Sequence, residues 1–212
     1  MDKKKRIERY QNTVYDICDK KVDLYTAASV IVKHLAPENN LEDPNFIDTP
    51  YRILKYLEEI GKGYSKEYIE KQFQSSFPSD YNGIVVVPDI KALSLCPHHF
   101  LPVFYRIDFA YMPSGRVLGL SKIIRVIRNL ALRPVLQEDF ADDVIEVFET
   151  HLKPKGIFAV IRGIHTCMYG RGVKNKSTVV TSRITGMFLE SATVREEAMF
   201  LFKRSKEEVF DE

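Results

Sequence analysis

Two hydrophobic periods alternate along the chain. Ile7, Tyr10, Val14 and Ile17 recur at helix spacing, and the apolar residues between positions 24 and 35 do the same. The spacing predicts a helix over each run. Asp48-Thr49-Pro50 reads as a helix start, because proline fits a first turn whose N–H groups have no partner. That helix continues through Ile53, Leu54, Tyr56, Leu57 and Ile60 and is stopped by Gly61 and Gly63. The Ser-, Pro-, Asp- and Asn-rich stretch 76–82 marks a boundary. The expectation is an N-terminal helical region over 1–78 and a main, catalytic domain over 79–212.

Beyond Gly83 the period shortens. Runs 84–87 and 92–95 are β-prone, 100–112 reads as a long strand, and Pro113-Ser114-Gly115 is a turn into 116–120. Helical patterns follow over 121–132 and 137–152, the second ended by Pro154 and Gly156. Strands are expected over 157–167 and 178–189, and a closing helix over 192–204. Strands, then two helices, then strands predict an α+β fold, a largely antiparallel sheet with two helices.

Composition narrows the classes. The chain has 212 residues and a formal net charge of +2, which gives no reason to expect nucleic acid as a partner. No run approaches the roughly 20 apolar residues of a membrane span, and the charged N-terminus lacks a signal-peptide core. A cytoplasmic location without membrane attachment is expected. Three cysteines do not make a disulfide framework, and in a reducing compartment they are available as metal ligands. Cys18, with no histidine near it, reads as a core residue.

The other two cysteines lie beside histidines. Cys96-Pro97-His98-His99 offers a thiolate and two imidazoles, and His165-Thr166-Cys167 offers another pair. On a strand, His165 and Cys167 would share a face. Sulfur and nitrogen donors suit zinc; a structural site uses four protein ligands, a catalytic one three with an open position. Imidazoles left beside a zinc-activated water would serve proton transfer. Spacing alone leaves all five groups as candidates.

A second constellation suits an anion. Ser121 is a plausible N-cap of the first main-domain helix, and Lys122 and Arg125 stand off its buried stripe. Cations in a first turn oppose the helix dipole, a mismatch that makes sense if the helix start holds a phosphate; a solvated basic face is the bland alternative. Glu138 opens the next helix, where acids are ordinary, but its carboxylate also matches the two donors on the guanine edge. Arg171 is a further phosphate contact or simply a turn arginine.

In order, Cys96-Pro97-His98-His99, Gly119-Leu120-Ser121-Lys122, Arg133-Pro134 with Gln137-Glu138, His165-Thr166-Cys167, Arg171-Gly172-Val173 and the 177–182 region leading to Gly186 resemble GTP cyclohydrolase I. Asp48-Thr49-Pro50 with Arg52 extends the resemblance upstream. It implies the tunnelling fold and a homodecamer of two pentamers with active sites between subunits. It implies zinc held by Cys96, His99 and Cys167, and proton transfer by His98 and His165. Gln137 and Glu138 would hold guanine, and Ser121, Lys122, Arg125 and Arg171 the ribose and triphosphate, with Arg52 reaching in from a neighbour. The implied reaction opens GTP at C8, releases formate and yields 7,8-dihydroneopterin triphosphate. Pro97 departs from the pattern, which usually has glutamate there; no ligand is lost, but a carboxylate and a backbone donor are. Another tunnelling-fold enzyme acting on a pterin or deazapurine, and a non-catalytic zinc-stabilised assembly protein, are the competing readings.

Overall fold

A computed structural model describes residues 3–17, 20–36 and 42–207. The chain forms two compact units, Met1–Gly61 and Lys62–Glu212.

The first unit holds helix α1 (Lys3–Asn12), a hairpin of β1 (Val14–Ile17) and β2 (Lys20–Asp23), helix α2 (Leu24–Leu35) and helix α3 (Thr49–Ile60). The hairpin corrects the expected helix over Ile7 to Ile17: Val14 and Ile17 belong to a strand, and Cys18 lies outside the described residues. Asp23 caps α2 by accepting from the Thr26 backbone N–H at 2.9 Å, the bond an N-cap supplies to an orphan donor. Tyr10, Ala28 and Leu54 form this unit's small core.

The second unit opens with α4 (Lys66–Phe73), whose start is capped by Ser65. Residues 62–78 fall in this unit, where Ile69 and Phe73 are buried in its main core. The short strand β3 (Ser76–Pro78) follows. Four strands make the principal sheet in the order β4 (Val85–Leu95), β5 (Pro102–Met112), β7 (Gly156–His165) and β8 (Thr178–Ile184), every pair antiparallel. The two runs expected at 84–87 and 92–95 are one strand interrupted by a bulge between Val87 and Ile90. There Asp89 sits at φ 54, and its N–H donates to the buried Asp108 carboxylate at 3.0 Å. Short β6 (Arg116–Leu118) pairs with β3.

Between β6 and β7 lie α5 (Leu120–Ala131) and α6 (Gln137–Leu152). Both cover one face of the sheet. Ile123, Ile127, Phe140, Val144 and Phe148 meet Tyr105, Ile107, Phe109, Ile157 and Ile161, all with under 2% exposure. Leu120, placed on the buried stripe by spacing, is 62% exposed. On the opposite face α8 (Met187–Glu190) and α9 (Ala192–Glu207) cover one end, where Phe188, Ala198 and Phe202 pack on Ala110, Phe158 and Val160. One further turn of helix, α7 (Thr166–Tyr169), follows β7. The antiparallel sheet with two helices on one face is the α+β fold expected. The strand predicted over 178–189 stops at Ile184, because Gly186 adopts φ 51 against the Lys155 carbonyl and starts α8.

Candidate metal and nucleotide site

The chelating turn forms where β4 runs out. Leu95 exchanges backbone bonds with the segment before α6: its N–H donates to Arg133 O (3.4 Å), and its carbonyl accepts from Val135 N (3.2 Å). The chain then winds one tight turn. Phe100 N–H donates to Cys96 O at 2.8 Å and Cys96 N–H to Leu101 O at 2.9 Å. Phe100 closes the turn at φ 53, in the left-handed region that non-glycine residues visit at a cost. Proline suits position 97 because the N–H it lacks would have no partner so early in a helical turn. Three-residue helical spacing puts Cys96 and His99 on one side, with Cys96 Sγ 3.4 Å from His99 Nδ1. His98 Nδ1 stands 3.9 Å from the same sulfur.

The third member arrives differently from the expectation. β7 ends at His165, so Cys167 is not on a strand and shares no strand face with it. Cys167 lies instead in α7, which Thr166 fastens to β5 by donating its hydroxyl proton to Pro102 O at 2.7 Å. One donor atom from each of Cys96, His99 and Cys167 falls within 4.8 Å of the others.

These residues fit a metal. Arms of about 2.0–2.3 Å at the tetrahedral angle set neighbouring ligand atoms roughly 3.3–3.8 Å apart, and the Cys96–His99 pair already has that spacing. Burial first, then the facing Cys96 thiol, pushes the Cys167 thiol up. Two thiols this close resist ionising together, and a divalent cation between them reverses that balance. Two sulfurs and one imidazole are a zinc-type donor set with a fourth position left over.

The trio shares a cavity of about 230 Å³ with Pro97, His98, Val135, Leu136, Gln137, Glu138, His165 and Val179. Gln137 and Glu138 are the first two residues of α6. Gln137 is buried, at 2% exposure. Its amide nitrogen donates to Ile161 O (3.1 Å), Val179 O (3.2 Å) and Thr181 Oγ1 (3.2 Å), and its oxygen lies 2.9 Å from His165 Nε2. Both ends of the carboxamide are therefore engaged within the protein. Burial holds the His165 imidazole below its usual value, and the nearby Glu138 carboxylate works against that. Glu138 itself is exposed at the cavity.

The anion set is not part of that cavity in one chain. Ser121 and Lys122 lie in the first turn of α5, whose N-cap is Gly119, so Ser121 does not cap the helix. Gly119 offers no side chain, and this helix start has no side-chain cap. Arg125 lines a different cavity, of about 730 Å³, with Lys91, Phe104 and Arg128. Arg171 is exposed beyond α7, and Arg52 belongs to the first unit. Sequence reasoning missed Val135, Leu136, Val179 and Thr181 around the site, which carry no chemical signature, and Gly163, whose signal was a lone glycine inside a strand pattern.

Comparison with known proteins gives a consistent result. A family model described as GTP cyclohydrolase I matches residues 26–203. A protein of Sulfurihydrogenibium sp. named GTP cyclohydrolase 1 is 41% identical over 171 residues, covering 78% of this chain and 88% of the relative. One from Nostoc sp., named GTP cyclohydrolase 1 2, is 40% identical over 167 residues, covering 78% and 77%. The Aquifex aeolicus GTP cyclohydrolase 1 is 39% identical over 166 residues, covering 76% and 88%.

Proposed function

The chain belongs to the GTP cyclohydrolase I family of enzymes, which brings the tunnelling fold, and from that premise we propose that it hydrolyses GTP at C8 in a zinc-dependent reaction. Formate and 7,8-dihydroneopterin triphosphate are the products. The observation that carries this reading is the meeting of Cys96, His99 and Cys167 with His98, Glu138 and His165 around one cavity.

Cys96, His99 and Cys167 hold the zinc, which when bound supplies Lewis-acid activation of water near neutral pH. Glu138 reads the base: its carboxylate accepts from the N1–H and exocyclic amine of guanine, and an adenine edge offers no such pair of donors. His165 and His98 flank the metal ligands and move protons to and from the purine as the imidazole ring opens. With burial keeping His165 neutral, its ring can both accept and return a proton.

Ser121, Lys122, Arg125 and Arg171 serve the ribose and triphosphate, with Arg52 contributed by a neighbour. None of Ser121, Lys122, Arg125 and Arg171 lines the metal cavity of its own chain, which favours sites shared between subunits of a homodecamer made of two pentamers. The sheet supports such assembly: β4 and β8 are its outer strands, and Phe104, Ile164 and Val180 are each about half exposed (52%, 48% and 58%) on its face. Apart from Leu95, which bonds to the 133–135 segment, these outer strands have no further strand beside them among the described residues, and such edges suit pairing with further copies.

The test is direct. Zinc-loaded protein incubated with GTP should release formate and give a pteridine that fluoresces after oxidation; a zinc-bound oligomer that yields neither product overturns the proposal. His98→Ala should keep its zinc and lose turnover, and loss of the metal instead would make His98 a ligand.

A further inference from the structure

Beneath the metal cavity a glycine and a buried amide act on His165. Gly163 precedes His165 by two residues on β7 and faces Tyr105 across the sheet. A Cβ at position 163 would lie 2.2 Å from Gln137 Oε1, 3.0 Å from His165 Nε2 and 3.0 Å from Tyr105 Cε1. The first distance is impossible for a real side chain, and the Gln137 oxygen cannot simply move aside. The other end of its amide is held by two backbone carbonyls, Ile161 O and Val179 O, and by the Thr181 hydroxyl.

Those carbonyls accept and never donate, so the NH₂ of Gln137 must face them and its oxygen must face His165. An oxygen that only accepts requires a proton on His165 Nε2. In the neutral ring the lone pair then falls on Nδ1, since one nitrogen's hydrogen bond sets the state of the other. We infer that Gln137 is a positioning residue that fixes His165 as its Nε2–H tautomer, and that Gly163 is required because only a missing side chain leaves room for that contact. The inference rests on the proton-transfer role proposed above for His165. The Gln137 side chain then acts on the reaction through His165 and makes no contact with the base.

The experiment uses full-length, zinc-loaded protein labelled with ¹⁵N-histidine and sedimented for magic-angle-spinning NMR. His165 is assigned by its disappearance in His165→Gln. Wild type should show His165 protonated at Nε2 with a bare Nδ1. Gln137→Met keeps the length and removes the acceptor; it should give both tautomers and lower kcat about 10–100-fold, as for loss of a supporting hydrogen bond, and less than the roughly 10²–10⁴-fold of losing the proton-transfer group itself. KM for GTP should stay within about twofold, because no substrate contact is lost. Gly163→Ala should behave likewise, and if it does not assemble, Gln137→Met carries the test alone. A wild-type ring protonated at Nδ1 overturns the inference, as does an unchanged tautomer in Gln137→Met. A rise in KM with kcat intact also overturns it, since Gln137 would then touch the substrate. The spectrum reads the tautomer whether or not GTP is turned over, so failure of the proposed reaction and failure of this inference are separately visible.

Discussion

Single residues decide what the site can recognise. Glu138 is exposed at the cavity wall, and among the described residues no hydrogen bond holds its carboxylate there. Glu138→Gln should reduce kcat/KM for GTP by roughly 10–100-fold, the equivalent of losing charge-assisted bonds worth about 1.5–3 kcal/mol, with zinc content unchanged by metal analysis. The same substitution removes the charge that partly offsets the effect of burial on His165. The limb of the pH–rate profile governed by His165 should therefore move further to the acid side. At this scale the sequence was informative about inventory and silent about selection. Cys96, His98, His99, His165 and Cys167 stood out as two clusters, but which of them converge depends on a tight turn closed by Phe100 and a one-turn helix opened by Thr166. The strand-alternation argument for Cys167 fails because β7 ends one residue before Thr166. The link between Gln137 and Gly163 is a contact between a helix start and a strand, and no local pattern encodes it.

Among elements, strong periodicity was legible and weak periodicity misled. α5, α6 and β5 follow from long, consistent patterns with ample apolar surface to bury. The β1–β2 hairpin was hidden because Ile7, Tyr10, Val14 and Ile17 also fit helix spacing over so short a run. The bulge in β4 left only a gap between two apolar runs in sequence. It is held by a buried charge: Asp108, fully buried, accepts from Arg162 Nη1 at 2.5 Å and from the Asp89 N–H at 3.0 Å. Asp89 in turn receives a two-pronged bond from Arg106, at 2.5 and 2.7 Å. Asp108→Ala should cost about 1–3 kcal/mol, because the Asp89 N–H loses its buried acceptor while Arg162, a third exposed, can turn to water. Denaturant unfolding should show the midpoint falling with the slope unchanged, and a loss under 1 kcal/mol would mean that Arg162 and the bulge hold themselves.

For the whole molecule, the fold class followed from the order of strands and helices, while assembly did not, because sheet edges offer their bonds to any strand. No helix among the described residues is long and apolar enough to cross a membrane. Cys96 directly follows one strand and Cys167 lies just past another, far apart along the chain. A metal gripping both is thus also a clasp, tying the end of an outer strand to an inner one across β5. Its removal should loosen the fold as well as silence the site. At free metal 100-fold above its dissociation constant, binding adds about 2.7 kcal/mol, or about 5–10 °C in melting temperature for a chain of this size. Treatment with a chelator should lower the melting temperature by that amount, and re-addition of zinc should restore it; an unmoved transition would mean that the strand ends are fastened without it. On the proposed function, a cell short of zinc would then hold less of the protein as well as a less active one, because a metal bound there would serve the chain's survival against proteolysis as well as its chemistry.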